Sequence, residues 1–129
     1  MAGKKIKFRE IKLESGTKIL LGKDENGNDE LMKEFKGKRN IILHTAKPGS
    51  PFCVIENLDS SNKDIKASGS ICASYSQDWR DNRKDVIVHV FTGKDISKRI
   101  WMKKGSWKVK NPKVIKIKKK DIEKIEKEK

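Results

Sequence analysis

Between Lys94 and Lys120 twelve lysines and arginines stand against a single acid, Asp95, and two tryptophans, Trp101 and Trp107, are set among them. That stretch carries +11 of the chain's formal net charge of +14; residues 1–93 hold 17 basic and 13 acidic groups, net +4, and the tail from Asp121 is net −1. Solvated protein faces normally mix both signs of charge, and this one does not. Cations spaced along a chain meet phosphates, and flat aromatic or guanidinium surfaces accept unpaired bases. The expected partner is therefore a polyanion, RNA first. Lys98, Arg99, Lys103, Lys104, Lys108, Lys110, Lys113 and Lys116 are the expected phosphate contacts, and Trp101 or Trp107 the stacking platform. Either tryptophan can also be a core residue, since that side chain is usually well buried.

Other positions invite chemistry more weakly. Trp79-Arg80, with Arg83 and Lys84 close behind, falls at the end of an expected helix, where the helix dipole favours cations; in the other reading Arg80 meets a phosphate and Trp79 a base. The run from Gly22 to Asp29 is not a phosphate loop, which needs G-x-x-x-x-G-K-[ST]. Nor is it a calcium loop, because the required glycine at the sixth position from Asp24 is Asp29. It reads as a capped turn leading into a helix. His44 ends an apolar strand before a Pro-Gly-Ser loop, within reach of a ligand, whereas His89 sits mid-strand and reads as packing. Cys53 and Cys72 lie among apolar or small neighbours without Cys-x-x-Cys spacing, so buried free thiols are expected, with a disulfide as the alternative. Neither a metal site, a cofactor nor a catalytic set is expected.

Short strands and two helices must position these residues. Ile6, Phe8, Ile11 and Leu13 alternate imperfectly, and Ser15-Gly16 turns them into a hairpin with Lys18–Leu21. Asn28 or Asp29 is the expected cap of a helix through Leu31, Met32 and Phe35 that ends at Gly37. Asn40–His44 and Phe52–Ile55 read as strands around a proline-glycine loop. Ser61 with Asp64 resembles a capping box opening a second helix that runs to about Gln77. Its small residues imply close packing, and Gly69, which costs about 1 kcal/mol inside a helix, implies that a sheet approaches its backbone. Val86–Phe91 is expected to form a hairpin with Ile96–Met102, followed by short strands at Trp107–Val109 and Val114–Ile117. Asp121 to Lys129 reads as a weakly amphipathic, fraying helix.

These elements imply an α+β fold: a mostly antiparallel or mixed β-sheet of hairpins packed with two helices, plus a short C-terminal helix. With 129 residues, 34% of them hydrophobic and 39% charged, the chain can bury one core; residues 1–120 read as a single domain and 121–129 as a short charged helix or tail. No apolar run is long enough to span a bilayer and the first residues lack a signal-like apolar segment, so no membrane partner and a cytoplasmic location are expected.

Gly22-Lys23-Asp24 with Asn28-Asp29 is similar to the pattern G-[RK]-[ND]-x-x-x-N-[DE]. Leu43-His44-Thr45, Pro48-Gly49-Ser50, Ala73-Ser74-Tyr75-Ser76, the valine-rich strand at Val86, Lys98 and Gly105-Ser106 follow it. In this order, across Phe8 to Ile117, they resemble the NFACT-R domain (DUF814), the C-terminal domain of ribosome quality-control tailing factors. Trp79-Arg80 and the lysine density after Lys103 depart from that pattern. The resemblance implies a standalone version, such as archaea and some bacteria have, without tail synthesis. It also implies a non-catalytic RNA-binding module for tRNA or rRNA in a ribosome- or translation-linked process, with no obligate small molecule. It points to the Gly22–Asp29 turn with Asn28, to His44 and to the Pro48–Ser50 loop with Ser50 as a shared surface, beside which Lys23 and Lys47 meet phosphate. Two other readings stand beside it. One is an RNA-modification enzyme or its adaptor built on Lys23, Asn28, His44 and Ser50; the other is a protein-interaction module that docks on the ribosome.

Overall fold

The computed structural model describes residues 8–128, so Ile6 lies outside the described residues. The order is β1 (Phe8–Lys12), β2 (Lys18–Gly22), α1 (Glu25–Phe35), β3 (Ile41–Thr45), β4 (Cys53–Ile55), α2 (Asn62–Ser74), α3 (Gln77–Asn82), β5 (Val86–Thr92), β6 (Ile96–Ser97), β7 (Lys108–Val109), β8 (Lys113–Ile117) and α4 (Lys119–Glu128). Among the described residues six strands form one sheet in the order β1-β2-β4-β3-β5-β8, antiparallel throughout, and β6-β7 form a separate ribbon. The fold is α+β, as the alternation of strand and helix patterns predicts.

Because successive strand residues point to opposite faces, each central strand serves two cores. Ile19, Leu21, Leu43, Cys53, Ile55, Val86, Val88 and Ile117 face one side and pack with Ile71, Cys72, Ala73, Trp79 and Ile122 from α2, α3 and α4. Leu20, Ile42, Val54 and Phe91 face the other and pack with Leu31, Met32 and Phe35 of α1 and Ile96 of the ribbon. Burial on both faces explains why β2 to β4 read as continuous apolar runs rather than alternating ones. Gly69 lies where the sequence requires a close approach: a Cβ there would come within 2.9 Å of Ile117 Cδ1 on β8. Cys53 and Cys72 are buried free thiols, and burial pushes the Cys72 thiol up to about 12.

Four local expectations change. The first helix is capped by Asp24, whose Oδ1 accepts from Gly27 N at 2.7 Å, rather than by Asn28 or Asp29. The second helix breaks at Tyr75: Ser76 caps a new helix by accepting from Trp79 N at 3.1 Å, which turns the chain before Gln77. The hairpin of β5 with Ile96–Met102 does not form, and β5 pairs instead with β3 and β8. A 3₁₀ turn at Gly93–Asp95 intervenes. Asp95 Oδ2 accepts from Thr92 N at 2.9 Å, and Gly93, whose absent Cβ would overlap Phe35 O, accepts Gly37 N at 2.7 Å, so the chain leaves the sheet toward α1.

The C-terminal helix is the fourth difference, since it packs instead of fraying. Lys119 N donates to Asp85 Oδ1 at 2.8 Å, Ile122 is fully buried, and Glu126 accepts from Trp79 Nε1 at 2.8 Å and Arg83 at 2.7 Å. Ile122→Ala is therefore expected to lower the free energy of unfolding by about 2–4 kcal/mol in urea titrations, as for other buried aliphatic truncations; a change below about 0.5 kcal/mol, the range of surface substitutions, would mean that α4 contributes nothing.

Candidate nucleic-acid interface

The segment from Gly22 to Asp29 is built around the backbone of Phe52, the residue before β4. Gly22 N donates to Phe52 O at 3.2 Å, and Phe52 N donates to Asn28 Oδ1 at 3.0 Å. A Cβ on Gly22 would overlap Asn28 Oδ1 and lie 2.9 Å from Asn28 N, so only glycine lets the first turn of α1 settle on the sheet. The next residue, Asp29, faces the loop between β6 and β7. Its Oδ1 accepts three hydrogen bonds, from Lys98 Nζ, Gly105 N and Trp107 Nε1, each 2.9 Å long. Lys98 Nζ also donates to Lys103 O at 2.9 Å and Ser106 O at 3.1 Å, which uses all three of its protons.

Gly105 has φ +82, which favours glycine, and a Cβ there would sit 3.1 Å from that of Glu25. The Asp29 and Lys98 side chains are only 15% and 20% exposed. Burial pushes the Asp29 carboxyl up, but the bonds from Lys98, Trp107 and Gly105 outweigh it and hold the group below its ordinary 3.8.

This clasp re-sorts the expected contacts. Lys98 is not available to phosphate, because oxygen atoms of the protein already occupy its ammonium. Trp107 is half-buried, with its N–H on Asp29 and the Lys98 ammonium 5.5 Å from its ring centre, so it holds the loop rather than offering a base platform. Trp79, 1% exposed and bonded to Glu126, is a core residue. Arg80 is exposed but braced on Tyr75 O and Gln77 Oε1, and Lys47 lies 3.7 Å from Asp78.

Lys23, Lys103, Lys104, Lys108, Lys110, Lys113 and Lys116 are exposed. Among the described residues no carboxylate pairs with them. Asp95, the one acid of the stretch, is engaged with Thr92. Arg99 is exposed, 5.9 Å from the ring centre of Trp101, which is itself 76% exposed.

The expected surface of Asn28, His44 and Ser50 converges on the start of β4, but two of its side chains serve the backbone. Asn28 receives Phe52 N, and buried Ser50 accepts Thr45 N at 3.1 Å while donating to Pro51 O. His44 is half-buried against Phe52, with ring centres 4.5 Å apart. Its Nδ1 lies 2.7 Å from Thr45 O; a carbonyl only accepts, so that nitrogen carries the proton. Strand register lines up His44, His89 and Val114 in one row across β3, β5 and β8. Burial holds His44 below its ordinary 6.5, opposed by the bond to Thr45. Sequence reasoning missed the role of Asp29. The signal was available: Asn28-Asp29, Lys98 and Gly105-Ser106 are separate motifs of one ordered set, and here they touch.

The family described as the NFACT protein RNA binding domain matches residues 7–111, most of the chain, and the chain belongs to that family. It is an RNA-binding domain. A comparison with curated proteins gives no match. The fold is similar to the C-terminal part of the fibronectin/fibrinogen-binding protein from Streptococcus suis, with a TM-score of 0.81 and 23% identity over 96% of this chain and 51% of that one. This chain thus spans about half the length of that structure.

Asp29 sets an acid limit. A carboxyl held below its unfolded value contributes stability that is present above pH 3.8 and lost as pH falls through the folded value. Asp29→Ala leaves the Trp107 N–H without its acceptor and the Lys98 ammonium without its counter-charge, and is expected to cost about 2–4 kcal/mol at pH 7. The difference between variant and parent should shrink below pH 4 when followed by urea midpoints; a constant difference would contradict the assignment.

Proposed function

We propose that this domain is a non-catalytic, cytoplasmic RNA-binding module that holds tRNA or rRNA in a ribosome- or translation-linked process. The observation that carries this reading is the set of exposed lysines from Lys103 to Lys116, free of carboxylate partners among the described residues, on a member of an RNA-binding family. Such cations bind by releasing counterions from phosphate, which supplies affinity and position without reading sequence. Folded RNAs of translation offer both closely spaced phosphates and unpaired bases. An enzyme built on Asn28 and Ser50 is less well supported, because both side chains are engaged with backbone groups.

The test is a salt series. Binding of a tRNA transcript is expected to weaken linearly on a log–log plot. Lys103→Ala/Lys104→Ala should reduce the slope by about 0.7–0.9 per lost contact. An unchanged slope and affinity would remove these lysines from the interface. Retention of a ribosomal partner after nuclease treatment would favour protein docking instead.

A further inference from the structure

The turn Arg99–Met102, closed by Met102 N on Arg99 O at 3.0 Å, places Ile100 and Trp101 at its tip, 100% and 76% exposed. Neither belongs to either core cluster. Two adjacent large apolar residues this exposed are unusual on a chain with so little apolar surface to spare. The tip is held from below. Both stems end at one atom, since Lys98 on one side and Gly105 with Trp107 on the other all bond Asp29 Oδ1. A second turn, Ser106 N on Lys103 O at 3.0 Å, stiffens the return, and Arg99 N reaches Met102 Sδ at 3.4 Å.

Arg99, Lys103 and Lys104 flank the tip without an acid. The occupant must therefore be anionic and also offer apolar faces, and unstacked nucleotides do both. Tryptophan stacks on any base, while a β-branched aliphatic cannot stack but fills the gap between splayed bases. A regular A-form duplex keeps its base faces inside the stack and its major groove out of reach.

We propose that Ile100 and Trp101 form a wedge that seats against unstacked bases, so that the domain selects RNA at bulges, loops or helix ends over continuous duplex. This rests on the RNA-binding reading and adds to it the class of RNA feature held.

The experiment compares the full chain on two 30-base-pair RNAs, one continuous and one with a two-nucleotide bulge carrying 2-aminopurine. The bulged RNA is expected to bind about tenfold tighter, as one good base–aromatic stack allows, with a change in 2-aminopurine fluorescence. Ile100→Ser/Trp101→Ala should erase that ratio and the fluorescence change while leaving affinity for the continuous duplex, and the thermal midpoint, unchanged. Trp101→Phe should keep most of the ratio. Equal wild-type affinity for both RNAs, or a ratio that survives the double substitution, overturns the wedge but leaves phosphate binding standing. Absence of binding to either RNA, with tip-dependent binding to phosphatidylserine vesicles, overturns both readings.

Discussion

One carboxylate oxygen joins α1 to the loop between β6 and β7. Asp29 Oδ1 collects an ammonium, a backbone N–H and an indole N–H at equal distance, and the residues that supply them stand at least 69 positions away in the chain. A charge-assisted hydrogen bond is about twice as strong as a neutral one, and here three of them share an acceptor that is mostly out of water. Removing the acceptor takes a partner from all three donors at once, although Lys98 keeps Lys103 O and Ser106 O. The loop between Lys98 and Trp107 has two β-turns and the bonds of Lys98 to Lys103 O and Ser106 O within it, and Asp29 is what ties it to α1.

The clasp in turn depends on three glycines. Gly22 admits Asn28 to the Phe52 backbone and so fixes the first turn of α1, which aims Asp29. Gly93 lets the chain leave β5 under the end of α1, and Gly105 takes the left-handed conformation that points its N–H at the carboxylate. The motifs shared with the RNA-binding family therefore describe scaffolding as much as contact. In the proposed reading the exposed lysines and the Ile100–Trp101 tip face the ligand. Their side chains make no hydrogen bond to Asp29, so they can be changed without touching the clasp.

The sheet was legible because its central strands are apolar runs of the right length between turn residues, and the close approach at Gly69 was legible because glycine inside a helix needs a reason. The hairpin of β1 with β2 was legible too, but the pairing of β5 was not. Neighbours in sequence usually pair, but the Thr92–Asp95 capping box diverts the chain, and β5 is left to β8. At the site, the localisation of charge was visible in the residue counts alone. Which cations are available was not, since Lys98 looks like its neighbours until a half-buried acid from a distant helix is beside it. The same holds for tryptophan: Trp79, Trp107 and Trp101 are buried, half-buried and exposed, and only the partners of each indole distinguish them.

The most direct test is the RNA affinity of Asp29→Ala at a temperature where the variant remains folded. The substitution removes a negative charge and leaves every exposed lysine in place, so net charge alone would make binding tighter. If the clasp orders the loop that presents those lysines, binding weakens by about tenfold, because the loop must then be ordered at the expense of the complex. Affinity equal to or tighter than that of the parent would contradict the account.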